Sequence, residues 1–167
     1  MPIRMAASLR RQEEGGTPPL GCAALGVRWA STWFHGSMSG STVPLPHDVR
    51  LRLADERNVW LCTLRGDGSP HVTPVWFVYL DCVWWIGCDG RSVKVRNVRA
   101  DPRVSLALED GVAPVVAEGA ARVHHADFPA PIVTAFAGKY AGWDIRGDDR
   151  VLLEVPVRRW LLAGTAQ

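Results

Sequence analysis

From residue 44 onward, apolar and polar positions alternate in short runs that predict strands rather than long helices. Glycine-containing turns separate several of these runs. The clearest is Gly66-Asp67-Gly68, because glycine supplies the positive φ that a tight hairpin requires. The predicted strands are residues 58–65, 70–80, 82–88, 104–108, 115–123 and 151–162. This pattern predicts hairpin-connected antiparallel strands.

Three shorter stretches carry the weaker periodicity of short helices. They are residues 47–56, 92–100 and 128–140. Strands and helices do not alternate as they do in doubly wound folds, and the chain has no Gly-x-Gly-x-x-Gly. The sequence therefore predicts a mainly β domain, an antiparallel β-barrel with short helices attached.

Residues 1–40 differ in composition from the rest of the chain. They are rich in Gly, Ser, Pro and Arg, with Gly15-Gly16 and Pro18-Pro19 interrupting any periodicity. They predict a low-complexity, flexible N-terminal extension, and Met38 is an alternative candidate for the initiator. With 167 residues in total, residues 41–167 have the length of one domain with one core.

The overall charge and the cysteines narrow the class of protein further. The net charge of +2 does not favour nucleic-acid or membrane-surface binding, and no apolar run is long enough to span a bilayer. No secretory signal and no metal-binding spacing of Cys or His are present. Cys62 and Cys82 lie in apolar stretches, which predicts buried thiols. We therefore expect a cytoplasmic protein without a metal site.

The segment Arg91–Asn97 is the strongest candidate for binding an anion. It follows a strand and a glycine-containing turn, and it opens a predicted helix with Arg91, Ser92, Lys94 and Arg96. Free N–H groups and the helix dipole favour an anion at such a position, and the hydroxyl and cations add donors. The alternative is a solvated basic helix that is N-capped by Asp89 or Ser92.

A second candidate is the strand that contains Pro74. A proline within a strand lacks an N–H for the ladder, which predicts an edge or a bulge. Backbone groups beside Pro74 are then free to face a planar heterocycle, with Trp76 or Phe77 packed nearby. The alternative is a bulged edge strand whose aromatic residues belong to the core.

These two segments together resemble a known family. Residues 67–77 read Asp-Gly-Ser-Pro-His-Val-Thr-Pro-Val-Trp-Phe, and residues 91–106 read Arg-Ser-Val-Lys-Val-Arg-Asn-Val-Arg-Ala-Asp-Pro-Arg-Val-Ser-Leu. With a Trp-rich strand between them, they resemble the pyridoxamine 5'-phosphate oxidase-like split β-barrel superfamily. The most similar group is the flavin/deazaflavin oxidoreductase B group, whose members often use coenzyme F420. The resemblance covers residues 44–162.

The resemblance implies an FMN-binding-like split barrel that forms a homodimer with two cofactor sites at its interface. It places the cofactor phosphate on the helix start and the tricyclic ring along the Pro74 strand, close to the end of the following strand. The implied cofactor-binding residues are Val72, Thr73, Pro74, Val75, Trp76, Cys88, Ser92, Lys94, Arg96 and Asn97.

Two departures from the family pattern bear on the cofactor. The chain has Ser-Val-Lys where pyridoxamine phosphate oxidases carry Ser-Arg-Lys, and it ends soon after Trp160, so vitamin B6 oxidation is disfavoured. Pro114 stands where the oxidases tend to place a glutamine that is usually involved in FMN binding. These departures favour F420 over FMN.

The resulting functional hypothesis is an F420-dependent oxidoreductase that transfers a hydride to a small conjugated or electron-poor substrate. No side chain stands out as a catalytic acid, so no catalytic residue is assigned. The alternatives are an FMN-dependent oxidoreductase of the same fold and a non-enzymatic protein that binds flavin, F420 or haem. Haem would require His71 as an axial ligand. Lys139 is a candidate contact for the acidic tail of F420, or it stabilises the end of its helix.

Overall fold

The computed structural model describes residues 45–126 and 128–162, and the predicted N-terminal extension lies outside them. The described residues form three helices and seven strands. In chain order these are α1 His47–Asp55, β1 Asn58–Leu64, β2 Pro70–Leu80, β3 Val83–Asp89, α2 Val93–Ala100, β4 Arg103–Ala107, β5 Val116–Ala120, β6 Arg122–His124, α3 Ala130–Lys139 and β7 Arg150–Leu161. Each sequence-predicted helix is present within two residues at either end, and the largest difference is the start of α3 at Ala130, where Pro129 precedes the first turn.

Six of the strands close into an antiparallel barrel. Their hydrogen-bonded order is β3-β2-β1-β4-β5-β7, and pairing of β3 with β7 completes the circle. The short β6 pairs with β7 on the edge opposite β3. Its first residue, Arg122, is the partner of Glu154, and its last, His124, is the partner of Leu152. The barrel and its attached short helices confirm the predicted mainly β, split-barrel class.

Two apolar clusters stabilise this arrangement. The larger one fills the barrel and includes Phe77, Trp84 and Leu106, each at most 1% exposed. The smaller one lies under α3, where Phe136 packs with Leu152 and other side chains that β2 and β7 direct outward. Alternation of side chains along β2 therefore supplies both clusters, and α3 is held against the barrel by apolar burial.

The structure corrects one predicted strand. Residues 115–123 form two strands, β5 and β6, because the chain turns at Ala121, whose N–H donates to the Pro102 carbonyl at 2.8 Å. Just before this turn the β5–β7 register shifts at Gly119. A Cβ at Gly119 would lie 2.5 Å from the Pro156 carbonyl oxygen, so the close approach of the two backbones requires glycine.

Strand β2 changes partner along its length. Its first part, from Pro70 to Trp76, pairs with β1, whereas Phe77 to Leu80 pair with β3. The β2–β3 ladder therefore ends at the pair Phe77–Ile86, and beyond it the two strands separate. Pro74 lies in the part of β2 that has no β3 partner, which confirms the predicted edge position.

Two features of the described residues can be compared with the predictions from the sequence: the state of the cysteines and the length of the helices. Cys62 and Cys88 carry free thiols, and of these two Cys88 is buried. Among the helices within residues 45–126 and 128–162, none has the length and apolarity needed to cross a bilayer.

Candidate functional site

A cavity of about 410 Å³ occupies the gap where β2 and β3 separate. Its size lies within the usual range for small-ligand sites in proteins. Residues from both strands, from α2 and from the segment before β7 line it: Pro74, Val75, Trp76, Gly87, Cys88, Asp89, Lys94, Trp143 and Arg150. The structure thus brings five of the ten sequence-predicted site residues to one place: Pro74, Val75, Trp76, Cys88 and Lys94.

The edge of β2 that faces this gap offers free backbone groups. In an antiparallel pair, hydrogen-bonded and non-hydrogen-bonded positions alternate, and the Arg65 N–H donates to the Ser69 carbonyl at the start of the β1–β2 hairpin. Counting along this register, Pro74 and Trp76 direct their backbone polar groups away from β1. The Pro74 carbonyl and the Trp76 amide are therefore exposed on the side where β3 is missing.

The indole of Trp76 is a rigid wall of the cavity. Tyr140, at the end of α3, stacks on it with a centroid separation of 4.5 Å and an interplanar angle of 9°. Arg57 adds a guanidinium 5.5 Å from the centroid of the Tyr140 ring. Because only one face of Trp76 is covered by Tyr140 and the side chain is 37% exposed, the indole can still stack against a planar ligand.

Trp143 forms the adjoining wall. Its ring meets Trp76 edge-on, at 5.2 Å and 90°. Two left-handed residues, Ala141 and Gly142, end α3 and direct the chain back over the barrel. A Cβ at Gly87 would lie 3.1 Å from the Trp143 ring, so this indole packs closely against β3 where that strand has no side chain.

The start of α2 provides hydrogen-bond donors at the polar end of the cavity. Ser92 is the N-cap residue, yet its hydroxyl forms no capping hydrogen bond. The Ser92 Oγ is buried and makes no hydrogen bond of normal geometry among the described residues, and a polar neighbour is the Cys88 thiol, whose pKa it lowers. Lys94 lines the cavity two residues further along. A buried serine hydroxyl, a lysine and a helix N-terminus match the donor set that a phosphate group requires.

Cys88 lies at the bottom of this polar end. Burial raises the pKa of its thiol to about 11, while the charges of Lys94 and Arg150 act in the opposite direction. Burial therefore favours the neutral form of this thiol at physiological pH.

Five of the predicted contacts do not lie among the cavity-lining residues, and one of these is Ser92, the N-cap residue of α2. Val72 is 53% exposed on the outer face of β2, and Thr73 points to the opposite face. Arg96 is exposed on the outer side of α2. Asn97 is buried, and its amide donates to the Thr63 hydroxyl at 3.0 Å. Asn97 therefore joins α2 to β1, a role that its polar character did not indicate.

Two further candidates from the sequence also lie elsewhere. Lys139 donates from Nζ to the Leu53 carbonyl at 3.0 Å and lies 3.6 Å from the centroid of the Phe77 ring. It holds α3 against α1 and β2, and it does not line the cavity. His71 shares the inward face of β2 with Thr73 and Val75 and does not line the cavity either.

Sequence reasoning missed four lining residues, Gly87, Asp89, Trp143 and Arg150. Gly87 and Asp89 directly flank Cys88, which is one of the sequence-predicted site residues. Their position at the end of a strand, just before the predicted anion site, could have identified them as well. Trp143 and Arg150 come from a segment more than fifty residues away, and they reach the site through the β3–β7 pairing.

The fold and the cavity agree with the family found by comparison of the sequence. Residues 45–163 match the model of the pyridoxamine 5'-phosphate oxidase family. The chain belongs to this family. Comparison with curated proteins gives no match.

Solved structures of the same fold support this assignment. A conserved hypothetical protein of Mycobacterium tuberculosis has 26% identity and a TM-score of 0.59, over 71% of this chain and 83% of that one. A structure described as an F420 reductase has 23% identity and a TM-score of 0.57, over 70% and 98%. The haem storage protein HutZ of Vibrio cholerae has 17% identity and a TM-score of 0.61, over 71% and 95%. The last two show similarity of fold alone.

Proposed function

We propose that the protein is an F420-dependent oxidoreductase that reduces a small conjugated or electron-poor organic substrate. The observation that carries the proposal is the cavity between β2 and β3. At one end, Lys94 lines the cavity and Ser92 caps the helix that carries it, so the two supply donors for a phosphate; at the other end, the free edge of β2 and the Trp76 indole offer a surface for a planar ring.

The residues of the chain have three tasks in this proposal. Ser92 and Lys94 bind the phosphate, the backbone at Pro74 and Trp76 orients the ring, and Trp76 and Trp143 exclude water from one side. The bound deazaflavin supplies the hydride chemistry. The raised pKa makes the Cys88 thiol a weak acid, so solvent would supply the proton that accompanies reduction.

A deazaflavin is favoured over FMN by two observations. Pro114 stands where the related oxidases tend to carry a glutamine that is usually involved in FMN binding. In addition, one structure of the same fold is described as an F420 reductase. A haem function is less well supported, because His71 does not line the cavity.

The proposal includes a homodimer with the cofactor sites at its interface. The outer face of β1 and β2 presents Trp60 and Val72, which are 41% and 53% exposed. They lie on the same side of the sheet as Trp76, because directly opposed residues of paired strands share a face. An apolar surface of this kind, next to the cavity, fits a second copy of the chain that closes the open side.

The test is titration of the purified protein with F420, FMN and haemin, followed through tryptophan quenching and ligand absorbance. We expect micromolar binding of F420 and turnover of reduced F420 with quinones, enones or nitroaromatic acceptors. Lys94→Gln should weaken F420 binding about 10- to 100-fold, the range of a charge-assisted hydrogen bond. Arg96→Gln is the matched control and should have little effect.

If the protein bound FMN and did not bind F420, the proposed cofactor would be a flavin and not a deazaflavin. Binding of haemin alone, or F420 binding with no turnover, would contradict an oxidoreductase.

A further inference from the structure

We propose that Arg150, the first residue of β7, completes the anion site and shares the cofactor phosphate with Lys94 and Ser92. This inference rests on the proposed function and extends it to a residue from a distant part of the chain. The segments around Ser92 and Arg150 have no sequence feature that links them.

The barrel closure brings Arg150 to the start of α2. In the β3–β7 ladder, Arg150 is the partner of Asp89, three residues before the N-cap Ser92. Both Arg150 and Lys94 line the cavity. The charges of both cations also lower the pKa of the Cys88 thiol, against the larger effect of its burial.

The backbone holds Arg150 firmly in this place. Asp149 adopts a left-handed conformation with φ of 60°, which is uncommon for a residue other than glycine. Its carbonyl accepts a hydrogen bond of 2.7 Å from the Gly90 N–H. A Cβ at Gly90 would lie 3.0 Å from that same carbonyl oxygen, so the two segments are in direct contact. The turn before α2 is therefore joined directly to the residue that precedes Arg150.

Two cations, Lys94 and Arg150, line the cavity, whereas Asp89 is the one carboxylate among its lining residues. Within residues 45–126 and 128–162, no carboxylate forms an ion pair with Arg150 or Lys94. The nearby carboxylates are engaged elsewhere, because Asp89 and Asp149 pair with Arg91, which is exposed at the surface. Two cations that face one cavity repel each other unless an anion lies between them.

Arg150 also has a defined orientation. Its guanidinium lies 5.5 Å from the centroid of the Trp143 ring, a cation–π arrangement. This contact leaves the N–H groups at the guanidinium edge available for two hydrogen bonds to one phosphate. Arg150 is therefore a better candidate for the second phosphate contact than Arg96, which is exposed on the outer side of α2.

The experiment compares ligands that differ only in their phosphate. The affinities of wild type, Arg150→Gln and Lys94→Gln are measured for F420 and for the deazaflavin chromophore without the phosphate-bearing side chain, and likewise for FMN and riboflavin. Arg150→Gln should weaken the phosphate-bearing ligands about 10- to 100-fold and the phosphate-free ligands less than about threefold. In the double variant the two losses should not add, since both cations bind one anion.

Arg146→Gln is the matched control, because Arg146 lies in the same segment but pairs with Asp144 on the surface. Equal losses for phosphate-bearing and phosphate-free ligands would overturn the proposal, since Arg150 would then act only by packing on Trp143. An unchanged affinity for all four ligands would also overturn it.

A second measurement separates this inference from the proposed function. Inorganic phosphate should raise the melting temperature of the wild-type protein, and this stabilisation should be lost in Arg150→Gln and Lys94→Gln. Stabilisation by phosphate with no binding of F420 or FMN would refute the proposed cofactors and keep the anion site. If phosphate stabilises wild type and Arg150→Gln equally, or neither of them, Arg150 is not part of an anion site.

Discussion

Tyr140 takes the place of a strand partner for Phe77. Its hydroxyl accepts a hydrogen bond of 2.8 Å from the Phe77 N–H and lies 2.7 Å from the Phe77 carbonyl oxygen and 2.8 Å from that of Arg57. The β1–β2 ladder ends at the neighbouring pair, Asn58–Trp76. One side chain from α3 therefore satisfies the backbone where β2 leaves β1, and its ring supports Trp76 at the cavity.

Tyr140→Phe should lower the free energy of unfolding by about 1–3 kcal/mol, because it leaves the buried Phe77 N–H without an acceptor. The stack on Trp76 persists in this variant, so ligand affinity should change little. Tyr140→Leu removes the stack as well and should weaken binding of a planar ligand. Urea unfolding and ligand titration measure the two effects.

Tyr79→Phe is the control, because no hydrogen bond of the Tyr79 hydroxyl is present among the described residues. Its unfolding free energy should match wild type within about 0.5 kcal/mol. Equal stability of Tyr140→Phe and wild type would show that the Tyr140 hydroxyl does not hold β2.

Gly87→Ala should reduce ligand affinity with only a small loss of stability. The new Cβ would lie 3.1 Å from the Trp143 ring, which must move by a few tenths of an ångström and change the wall of the cavity. We expect a several-fold loss in affinity for F420 or FMN, measured by titration. Gly138→Ala is the control, because no atom lies within 4 Å of its Cβ and alanine stabilises a helix by about 0.5–1 kcal/mol. An unchanged affinity of Gly87→Ala would mean that Trp143 does not contact the ligand.

Asn97 is expected to act on stability and not on ligand binding. Asn97→Ala should lower the free energy of unfolding by about 1–3 kcal/mol, because its amide is buried against the Thr63 hydroxyl. A double-mutant cycle with Thr63→Val should give a coupling of about 0.5–3 kcal/mol. If Asn97→Ala instead weakened F420 binding as much as Lys94→Gln does, Asn97 would be a cofactor contact.

Lys139 makes the stability depend on pH in a defined direction. Burial lowers the pKa of its ammonium from 10.5 to about 8, although Asp55 and Glu56 act in the opposite direction. Between about pH 8 and 10.5 the unfolded chain binds more protons at this site than the folded one, so the contribution of Lys139 to stability rises with pH. Below pH 8 both forms are protonated, and the cost of burying the charge is constant.

The measurement is the unfolding free energy of wild type minus that of Lys139→Met, from pH 7 to 10. This difference should increase above pH 8, and the other titrating groups cancel in it. Two parallel pH profiles would show that the ammonium is solvated in the folded protein.

The elements could be predicted because their signals are local. Alternation defines β2 from Pro70 to Leu80, and the Gly66–Gly68 turn fixes the hairpin before it. The division of β5 from β6 was missed because it depends on the approach of Gly119 to Pro156, a contact between distant segments.

The same distinction applies to the site. Lys94 and Cys88 are only six residues apart in the chain, so they lie near each other whatever the fold. Arg150 and Trp143 reach that segment only through the β3–β7 register, and no periodicity in a single sequence records such a pairing. The resemblance implied a cofactor contact for Asn97, and the sequence alone could not show that its amide meets a buried hydroxyl of β1.

The proline that opens the cavity also protects the chain against association in the wrong place. An uncovered strand edge is a template on which another polypeptide can add a strand, and such additions lead to aggregation. On the free edge of β2 the backbone groups of Pro70 and Pro74 point outward, and neither residue has an N–H to donate. An extended chain would find a broken ladder there, whereas a compact ligand needs only one or two of the remaining groups. Pro74 therefore disfavours the addition of a further strand at this edge.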